Sequence, residues 1–143
     1  MFSKKFFDRL GKKIIKMYKA HIFDRARDVK GNVFRGYSQK YGEMKRAGEL
    51  SGQFSATRGT IAPMVRKDFY NDLKLRKSSA TGFVLGWDSY GNRVNYLGDM
   101  NRLITTDDQP LDKDSINEIN RQVLREIVRV MPKHKHHKIV LGK

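Results

Sequence analysis

The sequence contains no cysteine. That absence removes disulfides, thiolate metal sites and thiol nucleophiles at once. It does not fix a compartment, and nothing in the chain demands an oxidising one. Proline is scarce, with three residues, and tryptophan occurs once. No stretch approaches the ~18 consecutive apolar residues of a helical membrane span, which excludes an integral membrane protein of that kind. Lys4 and Lys5 look like the start of a secretion signal. However, Asp8, Arg9, Lys12 and Lys13 interrupt the apolar stretch that follows, and no small-residue cleavage site comes after it. The first segment is therefore expected to belong to the mature protein. Acidic residues are also few: 15 Asp and Glu face 30 Lys and Arg, a formal net charge of +15.

What is present suffices for one modest core. The 143 residues are 38% hydrophobic and 10% aromatic, too apolar for a disordered chain and short enough for one domain. Residues 1–50 carry 14 basic and 5 acidic side chains, so more than half of the excess charge lies there. A field of this size favours a polyanionic neighbour: nucleic acid, an anionic membrane or an acidic protein surface.

Hydrophobic spacing predicts a helix over 2–27. Phe6, Phe7, Leu10, Ile14, Met17, Tyr18 and Ile22 form one face, Lys5, Lys12, Lys16 and Lys19 fill much of the other, and Ser3 is the N-cap. Such a helix packs on a core with its basic side solvated, or lies on a membrane or nucleic acid. Six glycines punctuate 28–60, a long glycine-rich loop with room for one short helix at 39–47. Pro63 opens a predicted helix over 63–72. Leu73 and Leu75 alternate with Lys74 and Arg76 to begin a strand, and Phe83–Trp87 is the most strand-like run. Val94–Leu97 reads as a strand or a short helix, and Asn101–Thr105 as one more strand. Ser115-Ile116-Asn117-Glu118 has the form of a capping box opening a helix over 115–131, which Pro132 stops. The expected fold is α+β. A small antiparallel sheet of three to four strands is flanked by the basic amphipathic helix, a short middle helix and a C-terminal helix, all within 1–131. A basic His/Lys-rich tail, 132–143, follows, in which Ile139-Val140-Leu141 adds an edge strand or stays loose.

Catalytic chemistry finds little footing. The histidines are His21 and the trio His134, His136 and His137, and none has an evident Ser or carboxylate partner. No G-x-x-x-x-G-K-[ST] phosphate loop exists. Gly31-Asn32-Val33-Phe34-Arg35-Gly36 follows a helix rather than a strand, so it is not a dinucleotide loop. Three histidines between lysines can bind a metal, but a basic tail gaining charge at low pH is the simpler reading. Phe34, Tyr37 and Tyr41 lie among Arg35, Lys40, Lys45 and Arg46. That arrangement suits base stacking, but aromatics packed on a sheet look the same, and packing is the simpler reading. No catalytic, cofactor-binding or metal residue is assigned.

One stretch carries more information. Asp28 to Lys45 has the pattern D-x-x-G-x-x-F-x-x-Y-S-x-x-Y-x-x-x-K. After an N-terminal helix, this resembles small neck proteins of tailed phages, of the virion-morphogenesis or tail-completion type. The order also matches: short helix, hairpin, the segment Asn101-Arg102-Leu103-Ile104, then a C-terminal helix. One departure is Thr60-Ile61-Ala62-Pro63-Met64, where the family often has Thr-Gly-x-Leu. The resemblance implies a structural virion protein, a subunit of the head–tail connector or tail-completion ring that joins portal to tail. It would be assembled in the host cytoplasm and located at the neck. Its partners would be its own copies in a ring, the portal or adaptor, tail proteins and, non-specifically, packaged DNA. No cofactor or small-molecule substrate is implied. On this reading Lys12, Lys16, Lys19 and Arg35 meet the anionic portal or DNA surface. Phe34, Tyr37, Tyr41 and Lys45 form an oligomer or partner contact loop. Charge alone leaves two other readings: a small basic nucleic-acid-binding protein, and a peripheral membrane protein held by the first helix.

Overall fold

The computed structural model describes residues 2–34, 39–49, 67–99 and 102–131. Helix α1 spans Lys4–Lys19. The Ser3 side chain accepts the Phe6 amide at 3.1 Å, the N-cap its sequence position suggests. Phe6, Phe7, Leu10, Ile14 and Tyr18 are buried along one face. The helix does not continue regularly to residue 27. It widens into a π-turn over Ala20–Asp24, which buries Ile22 and Phe23, and it closes with the Arg25 amide on the Ala20 carbonyl.

The next segment is a tight turn. Ala26 takes a positive φ, Arg27 and Val33 form an isolated bridge, and Gly31 has φ 92°. Asp28 Oδ1 accepts the Asn32 amide at 2.9 Å, and the Asp28 carbonyl accepts the Gly31 amide. A positive φ at position 31 is strained for any side chain, so the glycine is required there. This turn is tied down by the Val29 amide on the Leu103 carbonyl and by Gln109 on the Val29 carbonyl. Thus the first part of the expected glycine-rich loop is ordered, with Val29 and Phe34 buried. Helix α2 follows over Gln39–Ala47, where the sequence allowed one short helix.

Helix α3, Lys67–Asp72, leads into β1, Lys74–Ser78, which pairs antiparallel with β2, Phe83–Gly86. The register is Lys74↔Gly86, Leu75↔Leu85, Lys77↔Val84 and Ser78↔Phe83, with a bulge at Arg76. The bulged Arg76 bonds the Gly86 carbonyl and the Asp72 carboxylate. Asp72 Oδ2 in turn accepts the amides of Asp88, Ser89 and Tyr90. One carboxylate thereby fixes the chain leaving β2.

Among the described residues the sheet has these two strands, not three or four. Val94–Leu97 lies inside helix α4, Gly91–Asp99, where Val94 and Leu97 sit three apart and both pack on the core. Residues 102–105 form no strand. The Arg102 amide closes onto Leu97, and Leu103 spends its carbonyl on Val29, so no ladder can run through them. Ile139–Leu141 lies outside the described residues, as does Pro63.

Helix α5, Lys113–Val130, starts two residues before the expected point. Its N-cap is Asp112, whose Oδ2 accepts the Ser115 amide at 3.1 Å while Ser115 Oγ donates to Oδ1 at 2.6 Å. Ser115 therefore sits inside the first turn, and Glu118 is released from capping. Glu118 instead receives Lys13 from α1, together with Arg121 and Gln122. The hydrogen bond from Lys13 leads those from Gln122 and Arg121 in lowering its pKa to about 2. The helix ends at Met131, whose ψ of 133° suits the residue before a proline.

Among the described residues two apolar clusters form the interior. One gathers Tyr18, Ile22, Phe23, Phe34, Phe69, Leu73 and Ile104; the other gathers Phe6, Phe7, Leu10 and Ile14 with Phe83, Leu85, Ile119 and Val123. Leu111 touches both. Helix α1 is common to the two, lying against the hairpin and α5.

Candidate interaction surfaces

At 100° per residue, positions 5, 9, 12, 16 and 19 of α1 fall within roughly 80° of arc. Lys5, Arg9, Lys12 and Lys16 are exposed there, opposite the buried face, and Lys19 is half-buried. Five cations thus form a ridge along one helix. Lys12 is paired with Asp8 at 2.8 Å, an exposed i,i+4 pair of small worth. Lys19 lies over the Tyr70 ring, 4.4 Å from its centroid. Its pKa is lowered, first by burial and then by Lys74 of β1. The positive surface therefore continues from the helix onto the hairpin.

Lys12, Lys16 and Lys19 belong to this ridge, as their sequence spacing allows. Arg35 lies outside the described residues. Lys5, named with them on the polar side of the helix, falls outside the expected anionic contact, as do Arg9 and Lys74. The first two were legible as the remaining members of a 5-9-12-16-19 cation series. Lys74 needed the hairpin to be placed against α1.

The expected contact loop is different. Phe34 is 3% exposed and packs in the first cluster, so its ring is core and not a contact. Lys45 is 1% exposed, so it too is interior. The Asp28–Gly31 turn is tied to Leu103 through the Val29 amide, and Phe34 joins the cluster that holds Ile104. Tyr41 is half-buried, and burial raises its pKa, with Arg102 opposing. Tyr37 lies outside the described residues. Three positions quoted for the resemblance, Tyr41, Lys45 and Arg102, converge here, and Arg102 is itself 4% exposed.

Burial first, and the field of Arg102 second, lower the Lys45 pKa to about 8. Between that value and the ordinary 10.5, the folded state holds fewer protons than the unfolded chain. Stability therefore rises with pH across this window. Lys45→Met removes the titration. In urea unfolding, the difference between wild type and variant is expected to shift toward wild type from pH 8 to 10.5. An unchanging difference over that range would show that Lys45 titrates normally.

A third surface is apolar. Leu124, Ile127, Val128 and Met131 follow i, i+3, i+4, i+7 spacing on the last turns of α5, and all are exposed, Leu124 by 62% and Val128 by 70%. At 100° per residue they lie roughly 130–150° around α5 from Glu118 and Arg129, with Arg121 at the margin of the stripe beside Val128. A contiguous exposed apolar patch of this kind marks an interaction site more often than a bare surface.

His21 joins its Nε2 to the Asp28 carbonyl at 2.7 Å and places Nδ1 4.0 Å from Asp112. It ties the π-turn to the start of α5, a structural position. Among the described residues no group of three His, Cys, Asp or Glu is arranged to hold a metal, and no helix is long and apolar enough to cross a membrane. His134, His136 and His137 lie outside those residues. No family model, no curated protein and no solved structure matches this chain.

Proposed function

We propose that this protein is a structural subunit of a phage head–tail connector or tail-completion ring, acting through surfaces and without a catalytic step. The observation that carries the reading is the separation of two surfaces on two elements. A cationic ridge runs along α1, and an apolar stripe runs along the end of α5. A ring subunit needs one contact for its own copies and another for what the ring encloses or docks on. Heterologous contacts close into rings, and the apolar stripe is suited to a second copy. The ridge is suited to an anionic portal surface or to packaged DNA, where lysines act as diffuse counter-charges that do not read bases. The succession of α1, turn, short helix, hairpin and C-terminal helix follows the order of the resemblance, with α4 as an added helix between hairpin and α5, and Lys45 and Arg102 sit together.

A second reading, a small basic nucleic-acid-binding protein, is favoured by the ridge alone. Both readings are tested by reversing Lys12, Lys16, Lys19 and Arg35 to Glu. For a ridge on duplex DNA, about five phosphate contacts give a slope of log K against log salt near −4.5. The reversed variant should lose nearly all of that binding and, in a phage, particle assembly or genome retention. Normal assembly by the variant overturns the proposed anionic contact. Mass spectrometry of purified particles then separates the readings. About one chain, or one-half, per portal subunit supports the ring, where closed symmetry fixes the ratio. Absence from particles, together with DNA binding, supports the second reading.

A further inference from the structure

Lys19 ends the ridge on α1, with its ammonium 4.4 Å from the centroid of the Tyr70 ring. That ring is itself held edge-on against Phe23, with centroids 5.2 Å apart. Tyr70 belongs to α3, and Lys74 opens β1 four residues later. The charge of Lys74 is felt at Lys19, second to burial in lowering its pKa. Three elements thus bring two ammonium groups together at one corner.

Many of the neighbouring cations are spent. Lys12, Lys13, Arg76, Arg121 and Arg129 each hold a carboxylate. Among the described residues neither Lys19 nor Lys74 does. Two like charges drawn together without a counter-ion are unfavourable, and an anion between them reverses the sign of the interaction. The Tyr70 ring fixes the stem of Lys19 beforehand, which lowers the ordering cost of binding.

The rest of the ridge indicates what the anion belongs to. Its five cations climb about 21 Å of α1 in steps of about 4.5–6 Å. The helix holds one acid, Asp8, which pairs with Lys12. A protein surface mixes both signs, and an interface fitted to one mixes them too. A duplex backbone presents charges of one sign only, one per strand about every 3.4 Å along its axis. Lysine meets a phosphate as a point charge.

Resting on the cationic-ridge reading, we infer that Lys19 and Lys74 clamp one backbone phosphate of duplex DNA, with the other ridge cations lying along the same backbone. The occupant of the ridge is then DNA and not an acidic portal surface.

Fluorescence anisotropy of the full chain with a labelled duplex of about 20 base pairs, and with labelled poly-glutamate, tests this. Lys19→Gln and Lys74→Gln are each expected to weaken duplex binding by about tenfold. Each should also flatten the slope of log K against log salt by about 1. Lys12→Gln removes the same charge from a lysine already paired with Asp8, and should cost no more than about threefold. Lys74 is exposed, so its variant tests the clamp without disturbing the core. Equal losses in all three variants, or no loss at Lys74, overturn the clamp. Poly-glutamate bound as tightly as the duplex, with the same dependence on Lys19 and Lys74, overturns the choice of DNA and leaves the ridge reading standing. Binding of neither polyanion overturns the ridge reading as well.

Discussion

Asp112→Ala is expected to destabilise the protein by about 3 kcal/mol, the sum of two losses. Removing an N-cap side chain costs about 1–2 kcal/mol. The Ser115 hydroxyl, fully buried and bonded to Asp112 at 2.6 Å, is left without its acceptor, a loss of about 1–3 kcal/mol. For a chain of this length the melting temperature should fall by about 6–12 °C. Ser115→Ala keeps the cap and removes only the hydroxyl, so its expected cost is nearer 1 kcal/mol. Asp112→Asn, an equally good cap, should lie between them. The order matters more than the sizes. If Ser115→Ala proved the costlier of the two alanine variants, Ser115 would be the cap after all.

The second large effect is expected at Gly11. In an isolated helix, replacing this glycine by alanine would gain about 1 kcal/mol. Here a Cβ would stand 2.7 Å from Leu75 Cδ1 and 3.2 Å from Phe83 Cγ, because α1 rests on the hairpin at this residue. Leu75 is a side-chain tip and can give way, so the gain and the crowding should nearly cancel in Gly11→Ala. Gly11→Val adds two methyl groups to a contact already too short. It is expected to lose about 2–3 kcal/mol by overpacking. Thermal unfolding of both variants is the measurement. A stabilised Gly11→Val would mean that α1 and the hairpin are not in close contact.

These two residues mark what local reading captures. Gly11 in the middle of a helix looks like a defect when propensity alone is considered. Its reason is 64 positions away at Leu75, and no periodicity in α1 points there. Ser115-x-x-Glu118 is a genuine capping pattern, yet Asp112-x-x-Ser115 is another, one turn earlier. Only the first has the glutamate that a capping box needs, but Asp ranks with Ser as an N-cap residue. The tie is broken by Glu118, which bonds Lys13 of α1 and so is not available to cap. The strand count has a similar history. Residues 101–105 are apolar and β-branched enough for a strand, but Leu103 gives its carbonyl to the Asp28–Gly31 turn. On the strength of the resemblance Phe34 and Lys45 are expected in a contact loop, and both are buried. The turn at Asp28 and Gly31, with φ 92° at the glycine and the Val29 amide on Leu103, sets Val29 and Phe34 inside.

Some features needed no tertiary information. The Ser3 cap, the buried face of α1, the helix over 39–47, the Phe83 strand and the cation series on α1 all follow from spacing, because a helix or strand maps position directly onto direction. The absence of cysteine and the charge of +15 are likewise properties of composition. Only the folded chain decided which capping pattern closes α5, which glycine is a contact, and which residues of the Asp28–Lys45 stretch are core. Each of those outcomes depends on partners distant in sequence, and a linear pattern carries the direction of a side chain but not the identity of what it meets.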